Sequence, residues 1–575
     1  MIYREEHPNP QWERSNWRNL NGEWEFDFDF GRSARDKKLY EKGALPKKIN
    51  IPFCPESELS GIGYTDFING VCYRKLIEIS KDELNGRIIL HFGAVDYESF
   101  IYVNGKFVKS HVGGYSSFSA DITDYAKEGE NEIFVIAEDD IKSRHQPSGK
   151  QSDNYNSYGC FYTRTTGIWQ TVWLEFVPKA YIQQAKYYPD IDNGTLTIIG
   201  KTIGSGELTA TAAYEGKPMA KECVNVCNGF FTIQLKLSEV HLWELGHGRL
   251  YDLELTFGED KVKSYFGMRS VRLDDYKFML NNKSVFQRLV LDQGYYPDGI
   301  YTAKTDDDLK KDIELSMKLG FNGARLHEKI FEARFLYHCD KTGYMVWGEH
   351  ANWGMDYYNA ITAENFISEW LEAVARDFNH PSIIGWCPFN ETWNFTDYQE
   401  KNLKNKLLED VYHMTKQLDP TRICIDTSGN YHTVTDIFDV HDYEGDPEKF
   451  KEYYAHISEG IVNDQIHRAS GDHTQKYNGE PIFVSEYGGI RWSGEESGES
   501  SWGYGDSPKT VEEFVKRYKG LTDVLLDNPC INGFCYTQLY DVEQEQNGLY
   551  YYSREEKFDA ETIREINSRK AAIED

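Results

Sequence analysis

From residue 271 onward, eight apolar, strand-like segments alternate with amphipathic helical stretches, and this alternation constrains the fold more than any other feature of the chain. The segments are VFQRLVLDQG, FNGARLHEK, YMVWGEH, SIIGWCPFNE, RICIDTSG, IFDVHDYE, PIFVSEYGG and INGFCYTQLYD. The clearest helix signal begins at Thr305, an N-cap residue type followed by Asp306, Asp307 and Asp308, where carboxylates meet the positive end of the helix dipole. Leu309, Ile313 and Met317 then recur on one face. Further helical stretches fall at about 361–379, 399–418 and 510–527. Eight strand segments in roughly 300 residues is the count and size of a (β/α)8 barrel. A doubly wound sheet would need a glycine-rich nucleotide turn after its first strand, and LDQGYYPDG is not one.

The chain has 575 residues, and single cores stop growing beyond about 250–300, so the first half should fold separately. Residues 1–180 read as short alternating strands separated by turns. In FIYVNGKFVKS the pair Asn104-Gly105 supplies a two-residue hairpin turn. This is a β-sandwich pattern. Residues 181–270 remain strand-like at the spacing of a second, smaller sandwich, with the barrel filling 271–575.

A net charge of −30 repels phosphate backbones and anionic lipid surfaces, so neither nucleic acid nor a membrane is expected as a partner. No run of about 18 apolar residues occurs and MIYREEHPNPQWERSNW lacks a signal-peptide core, which gives a cytoplasmic reading. The 10 cysteines have no metal-ligand or disulfide spacing and are expected to be reduced thiols.

In a (β/α)8 barrel the chemistry collects where strands run into loops at their C-terminal ends. That rule selects Asp292 and Gln293; Arg325, His327 and Glu328; Glu349 and His350; Asn390 and Glu391; and then Asp426, His441, Asp442, Tyr443, Glu486, Gln538 and Asp541. Glu391 and Glu486 end strongly apolar strands 95 residues apart, on the fourth and seventh segments. Two such carboxylates can divide the cleavage of a glycosidic bond, one protonating the leaving oxygen while the other attacks the anomeric carbon or activates water. Their environments must push their proton affinities apart. The aromatic surroundings of Glu391 in WCPFNETWN suggest a desolvated, proton-holding carboxyl, and Glu486 the ionised one.

The stretch DFNHPSIIGWCPFNE, 377–391, resembles the signature of glycoside hydrolase family 2, and LNGEWEFDFD, FGMRSVRL, FNGARL, CDKTGYMVWGE and SEYGG extend the resemblance along the chain. The resemblance implies a multidomain protein: an N-terminal sugar-binding β jelly-roll sandwich, an immunoglobulin-like β-sandwich and a C-terminal (β/α)8 TIM barrel. It implies a retaining exo-β-glycosidase in which Glu391 is the general acid/base, Asn390 binds the sugar 2-hydroxyl, Glu486 is the nucleophile and Tyr443 supports it. Asp292, Gln293, Arg325, His327 and Glu328 lie where the sequence departs from the family pattern and are expected to set specificity. Glu349, Trp393 and Tyr536, the last standing where relatives often carry tryptophan, complete the expected substrate-binding set.

The glucuronidase branch uses an N-x-K loop for the uronate carboxylate. Here EQEQNGLYYY has Asn547 and then Leu549 in that register, which favours a neutral β-galactoside-type substrate over a β-glucuronide or other β-hexuronide. Arg325, Lys329 and Arg491 are the cations that could meet a carboxylate instead. A catalytically silent carbohydrate-binding protein is the alternative of another class. No metal or cofactor is expected, and self-association as a dimer or tetramer is implied by the resemblance alone.

Overall fold

In the computed structural model, residues 2–392, 398–463, 465–467, 474–492 and 501–574 are described, the side chains of 398–403 excepted. The barrel is built from eight parallel strands: β1 (Gln287–Asp292), β2 (Gly323–Leu326), β3 (Met345–Glu349), β4 (Ile383–Cys387), β5 (Ile423–Cys424), β6 (Phe438–Asp442), β7 (Ile482–Gly488) and β8 (Ile531–Thr537). They pair in the order β5-β4-β3-β2-β1-β8-β7-β6. The two outermost are joined through the Asp436 N–H, which donates to the Cys424 carbonyl at 3.1 Å. All eight sequence segments carry a strand of the ring.

Around the barrel run α1 (Asp306–Lys318), α2 (Ala333–Thr342), α3 (Ala360–Asp377), α4 (Tyr398–Leu418), α5 (Pro447–Tyr453), α6 (Val511–Asp527) and α7 (Ala560–Asn567). The Thr305 cap forms as its sequence indicates. Its hydroxyl accepts from the Asp308 N–H at 3.2 Å, and Asp308 accepts from the Thr305 N–H at 3.0 Å. Losing such a cap costs about 0.5–2 kcal/mol.

The barrel's apolar residues divide into two layers, alternating along each strand except where the pairing shifts register, as it does at Ile384 of β4. Leu289, Leu291, Met345, Trp347, Ile384, Phe483 and Cys535 fill the interior, whereas Val290, Val346, Trp386, Val484, Phe534 and Tyr536 pack outward against the helices. Trp243, Phe278 and Leu280, which precede the first barrel strand, join the interior cluster. The chemistry is thereby left to the opposite, C-terminal mouth.

Upstream, a four-stranded and a six-stranded antiparallel sheet face each other over a core containing Trp24, Tyr73, Leu90 and Ile133. Asn104 and Gly105 both adopt positive φ, 50° and 73°, as a primed hairpin turn requires. A three-stranded and a four-stranded sheet between Tyr181 and Phe266 form the second sandwich around Leu196, Ile198, Leu253 and Leu255. Arg14 ties the two sandwiches together, reaching Glu175 at 3.2 Å and Asp260 at 2.8 Å. All 10 cysteines are free.

Candidate active site

Along β7 the alternation of inward and outward residues breaks once. Phe483 points in and Val484 out, and the pairing with β8 then shifts register between Val484 and Tyr487. A bulge of this kind re-aims a side chain. Ser485 and Glu486 both reach the mouth, Ser485 bonding Asp439 at 2.5 Å and Glu486 accepting from Arg325 at 3.1 Å. The Tyr443 hydroxyl donates to the other Glu486 oxygen, and the Tyr443 ring is stacked on Tyr504 with centroids 3.4 Å apart. Burial alone would push the Glu486 carboxyl up, but the charges of His441 and Arg325 and the Tyr443 hydrogen bond bring it down to about 2. Glu486 is an ionised carboxylate held at both oxygens.

Glu391 follows β4 and a short strand, Phe389–Asn390, paired to Thr427–Ser428. Its N–H donates to the Ser428 carbonyl at 2.8 Å, and its φ is +52°. A non-glycine residue in this left-handed region stores about 1–3 kcal/mol of strain, a cost found mainly at functional positions. The turn swings the side chain off the strand line toward Glu486. A carboxylate oxygen of each glutamate and a ring nitrogen of His441 all lie within 4.8 Å of one another.

His441 joins the pair. Its Nδ1 is 2.7 Å from Glu391 Oε1 and 3.4 Å from Glu486 Oε2. Its Nε2 is 2.9 Å from the Ser428 hydroxyl, which donates its own proton to Asp439. Both ring nitrogens therefore face acceptors, the arrangement an imidazolium needs. Burial works against that charge, but Glu486 and Glu391 prevail and raise the His441 pKa above its ordinary value.

Residues 30–178 match the family model "Glycosyl hydrolases family 2, sugar binding domain", and residues 271–518 match "Glycosyl hydrolases family 2, TIM barrel domain". The chain belongs to glycoside hydrolase family 2.

Among its family 2 relatives, a beta-galactosidase of Thermoanaerobacter pseudethanolicus is 28% identical over 418 residues, 67% of this chain and 51% of the relative. A beta-glucuronidase of Sus scrofa is 25% identical over 574 residues, 90% of this chain and 83% of the relative. The chain thus spans about half the length of the first curated relatives it matches. A solved beta-glucuronidase of an uncultured Clostridium species superposes with a TM-score of 0.81 at 21% identity, covering 96% of this chain and 98% of the other, and carries the same fold.

The remaining expected site residues divide into those the family 2 barrel brings to the glutamates and those it turns elsewhere. Asn390 is buried. Its Oδ1 accepts from Arg325 at 3.3 Å, its carbonyl accepts from Asn352 at 2.9 Å and from Trp353 at 3.1 Å, and among the described residues its Nδ2 has no partner. Arg325 was expected to read the sugar, but its guanidinium is committed to Glu349 at 2.6 Å, Glu486 at 3.1 Å and the Ser485 carbonyl at 2.9 Å. It is an ionic hub under Glu486. Glu349 also takes His327 Nδ1 at 3.0 Å, and burial pushes the His327 pKa well down, so these two extend the same network. Glu328 accepts from the N–H groups of Asn352 and Trp353 at 3.0 and 3.1 Å.

Asp292 and Gln293 lie at the mouth but bond sideways. Asp292 accepts from Tyr540 at 2.5 Å and from the Gly294 N–H at 2.9 Å, with its pKa raised to about 6 by burial and nearby Asp312. Gln293 donates to Gln538 at 2.8 Å.

Two expectations are corrected. Tyr536 is no stacking platform. It belongs to the outward layer of β8, edge-on to Tyr518 of α6 at 4.9 Å and Tyr487 at 5.6 Å, because strand parity sends Cys535 into the barrel and Tyr536 to the helices. The aromatic neighbours of Glu391 do not wall it in either. Trp386 packs edge-on to Trp370 and bonds Asp419 at 2.8 Å, Phe389 stacks on Phe366, and the Glu391 side chain is 20% exposed beside His441. Trp393 lies outside the described residues.

Two residues of the mouth, His441 and Lys150, whose ammonium stands 3.9 Å from the centre of the Trp353 ring, carried weak sequence signals. His441 shares strand parity with Tyr443, two residues on, which places both in the mouth. Lys150 lies in the first sandwich, about 140 residues before the first barrel strand, and nothing local in its sequence points to the barrel. Among the described residues, no helix is long and apolar enough to cross a membrane.

Proposed function

We propose that this chain is a retaining exo-β-glycosidase that cleaves terminal β-linked sugars by double displacement, with Glu486 as nucleophile and Glu391 as general acid/base. The observation that carries the reading is the approach of the two carboxylates, with an oxygen of each inside a 4.8 Å cluster. Retaining pairs stand about 5–5.5 Å apart, whereas inverting pairs need about 6.5–9.5 Å to admit a water.

In the first step Glu391 protonates the leaving oxygen while Glu486 attacks the anomeric carbon from the opposite face, forming a covalent glycosyl-enzyme. In the second, Glu391 takes a proton from water, which displaces Glu486 and restores the starting anomer. Arg325 and Tyr443 keep the nucleophile ionised and aimed, and His441 lies between the two carboxyls. The test is proton NMR of p-nitrophenyl β-glycoside hydrolysis. β-Anomer appearing first supports the reading, and α-anomer appearing first, or no turnover of any β-glycoside, overturns it. Sugar binding without turnover would identify a silent binding protein.

For the sugar, a neutral β-galactoside fits the buried Leu549, 2% exposed, where a uronate-binding lysine would be needed, and some relatives bear the name beta-galactosidase. The β-hexuronide reading has support of its own. Several relatives bear the name beta-glucuronidase, and Lys150 provides a pocket cation. Of the cations expected to serve instead, Arg325 is consumed by carboxylates. Lys329 donates to the Gly294 and Tyr301 carbonyls at 2.5 and 2.9 Å, with burial bringing its pKa down to about 7.

A further inference from the structure

The first sandwich sends the segment Ser148–Ser152 across the barrel mouth and fixes its backbone from two sides. The Ser148 and Gly149 N–H groups donate to the Trp353 carbonyl at 2.8 and 3.2 Å, the Lys150 carbonyl accepts from the Tyr162 N–H at 2.7 Å, and the Ser152 N–H donates to the Tyr162 carbonyl at 2.9 Å. Gly149 has φ +57°, and a Cβ there would lie 2.5 Å from the Glu328 carbonyl oxygen, so only glycine permits this close approach. The side chain of Gln151 turns back into the sandwich, donating to Asp96 at 2.9 Å. Lys150 faces the other way, with its ammonium 3.9 Å from the centre of the Trp353 ring, and Trp353 is itself bonded to the Asn390 carbonyl.

Lys150 is only 5% exposed, yet among the described residues its Nζ makes no hydrogen bond and meets no carboxylate at ion-pair distance. Burial works against its charge, but the nearby Glu545 and Glu486 carboxylates hold its pKa above the ordinary lysine value, so it remains an ammonium with three free donors. The nearby acids are engaged elsewhere. Glu545 receives Tyr162 on one oxygen and Asn547 at 3.0 Å on the other, Glu486 receives Arg325 and Tyr443, and Glu328 is tied to the backbone of Asn352 and Trp353. A sugar filling the mouth displaces the water that solvates Nζ. The N–H groups of Nζ then need acceptors on the sugar itself.

We propose that Lys150, delivered by the N-terminal sandwich, is the specificity-determining cation of the pocket and binds the carboxylate of the glycone, which makes β-hexuronides the preferred substrates. This rests on the glycosidase reading above. A carboxylate matches one ammonium in charge and accepts its N–H groups in a charge-assisted bond. A doubly charged phosphate would be repelled by the surrounding acids.

The test compares p-nitrophenyl β-D-glucuronide and β-D-galacturonide with the β-D-glucoside and β-D-galactoside, using the full chain and its Lys150→Met and Lys150→Arg variants, with melting temperatures as a folding control. The wild type should cleave one uronide with a kcat/KM at least about 10-fold above that of its neutral counterpart. Lys150→Met should lower the uronide value about 100-fold, mostly through KM, and the uronide-to-neutral ratio at least about 20-fold, and Lys150→Arg should restore part of the loss. Equal losses on both substrates would show Lys150 merely balancing the acids and would overturn the assignment. Wild-type preference for the neutral sugar would overturn it without any variant and leave the glycosidase reading standing. Failure to cleave any of the four would overturn both.

Discussion

Glu486 and Glu391 have the same side chain and share one histidine, yet the barrel surrounds them in opposite ways. Glu486 is buried at a bulge in β7, with Arg325 on one oxygen, Tyr443 on the other and a pKa brought down to about 2. Glu391 sits on a strained left-handed turn, 20% exposed, with His441 as its close side-chain partner. The difference fits the division of labour. A nucleophile must be ionised and stationary, which fixed charges accomplish, whereas a general acid/base must exchange its proton with leaving group and water, which requires access.

Removing each carboxyl tests that contrast most severely. Glu486→Ala should lower kcat by about 10⁴-fold or more with every leaving group, since no covalent intermediate can form. Glu391→Ala should lower it by about 10²–10⁴-fold for a poor, alkyl-type leaving group and far less for glycosyl-enzyme formation with an acidic phenol, which departs without protonation. Pre-steady-state rates across a series of phenol leaving groups make the comparison. An equal dependence on leaving-group acidity in the two variants would erase the assigned roles. Tyr443→Phe deletes one hydrogen bond to the ionised nucleophile and should cost about 10- to 100-fold in kcat, the worth of a bond to a charged group. An unchanged rate would mean that Arg325 holds Glu486 alone.

The sequence made the scaffold legible because a (β/α)8 barrel repeats: eight apolar runs of strand length, each ended by polar residues, specify a ring and mark its working face. The place of Glu391 and Glu486 at the barrel mouth was legible for the same reason. Tyr536 and Trp386 were not, since whether a strand residue faces the barrel axis or the helices depends on parity, and bulges such as the one at Glu486 reset it. Arg325 could be placed at the mouth from its position, but its pairing with Glu349 and Glu486 depends on neighbours on two other strands. Lys150 is the extreme case, reaching the pocket only through the docking of one domain on another. The aromatic composition around Glu391 misled for a local reason: a positive φ turns that one side chain away from the neighbours its sequence surrounds it with.

The smallest and most diagnostic effect is expected at His441, the group common to both carboxyls. Its charge is the first-ranked among those opposing the burial of Glu486, so His441→Asn should let the Glu486 pKa rise from about 2 toward the ordinary carboxylate value and carry the acid limb of kcat/KM upward with it. Near pH 6, where Glu486 stays ionised in either case, the loss should be below about 10-fold, because His441 touches the carboxyls rather than the reacting bond. Stability should respond with the opposite sign. The His441 pKa is raised in the fold, so its stabilisation is fully present below the ordinary histidine value and fades as pH rises through the folded one. The Glu486 pKa is depressed, so its stabilisation is present above the ordinary carboxylate value and fades as pH falls toward about 2. Melting temperatures from pH 4 to 9 should therefore show wild type losing its advantage over His441→Asn on the alkaline side. An acid limb that stays in place would mean that Arg325 and Tyr443 alone keep the nucleophile ionised, and that His441 serves only the Glu391 half of the site.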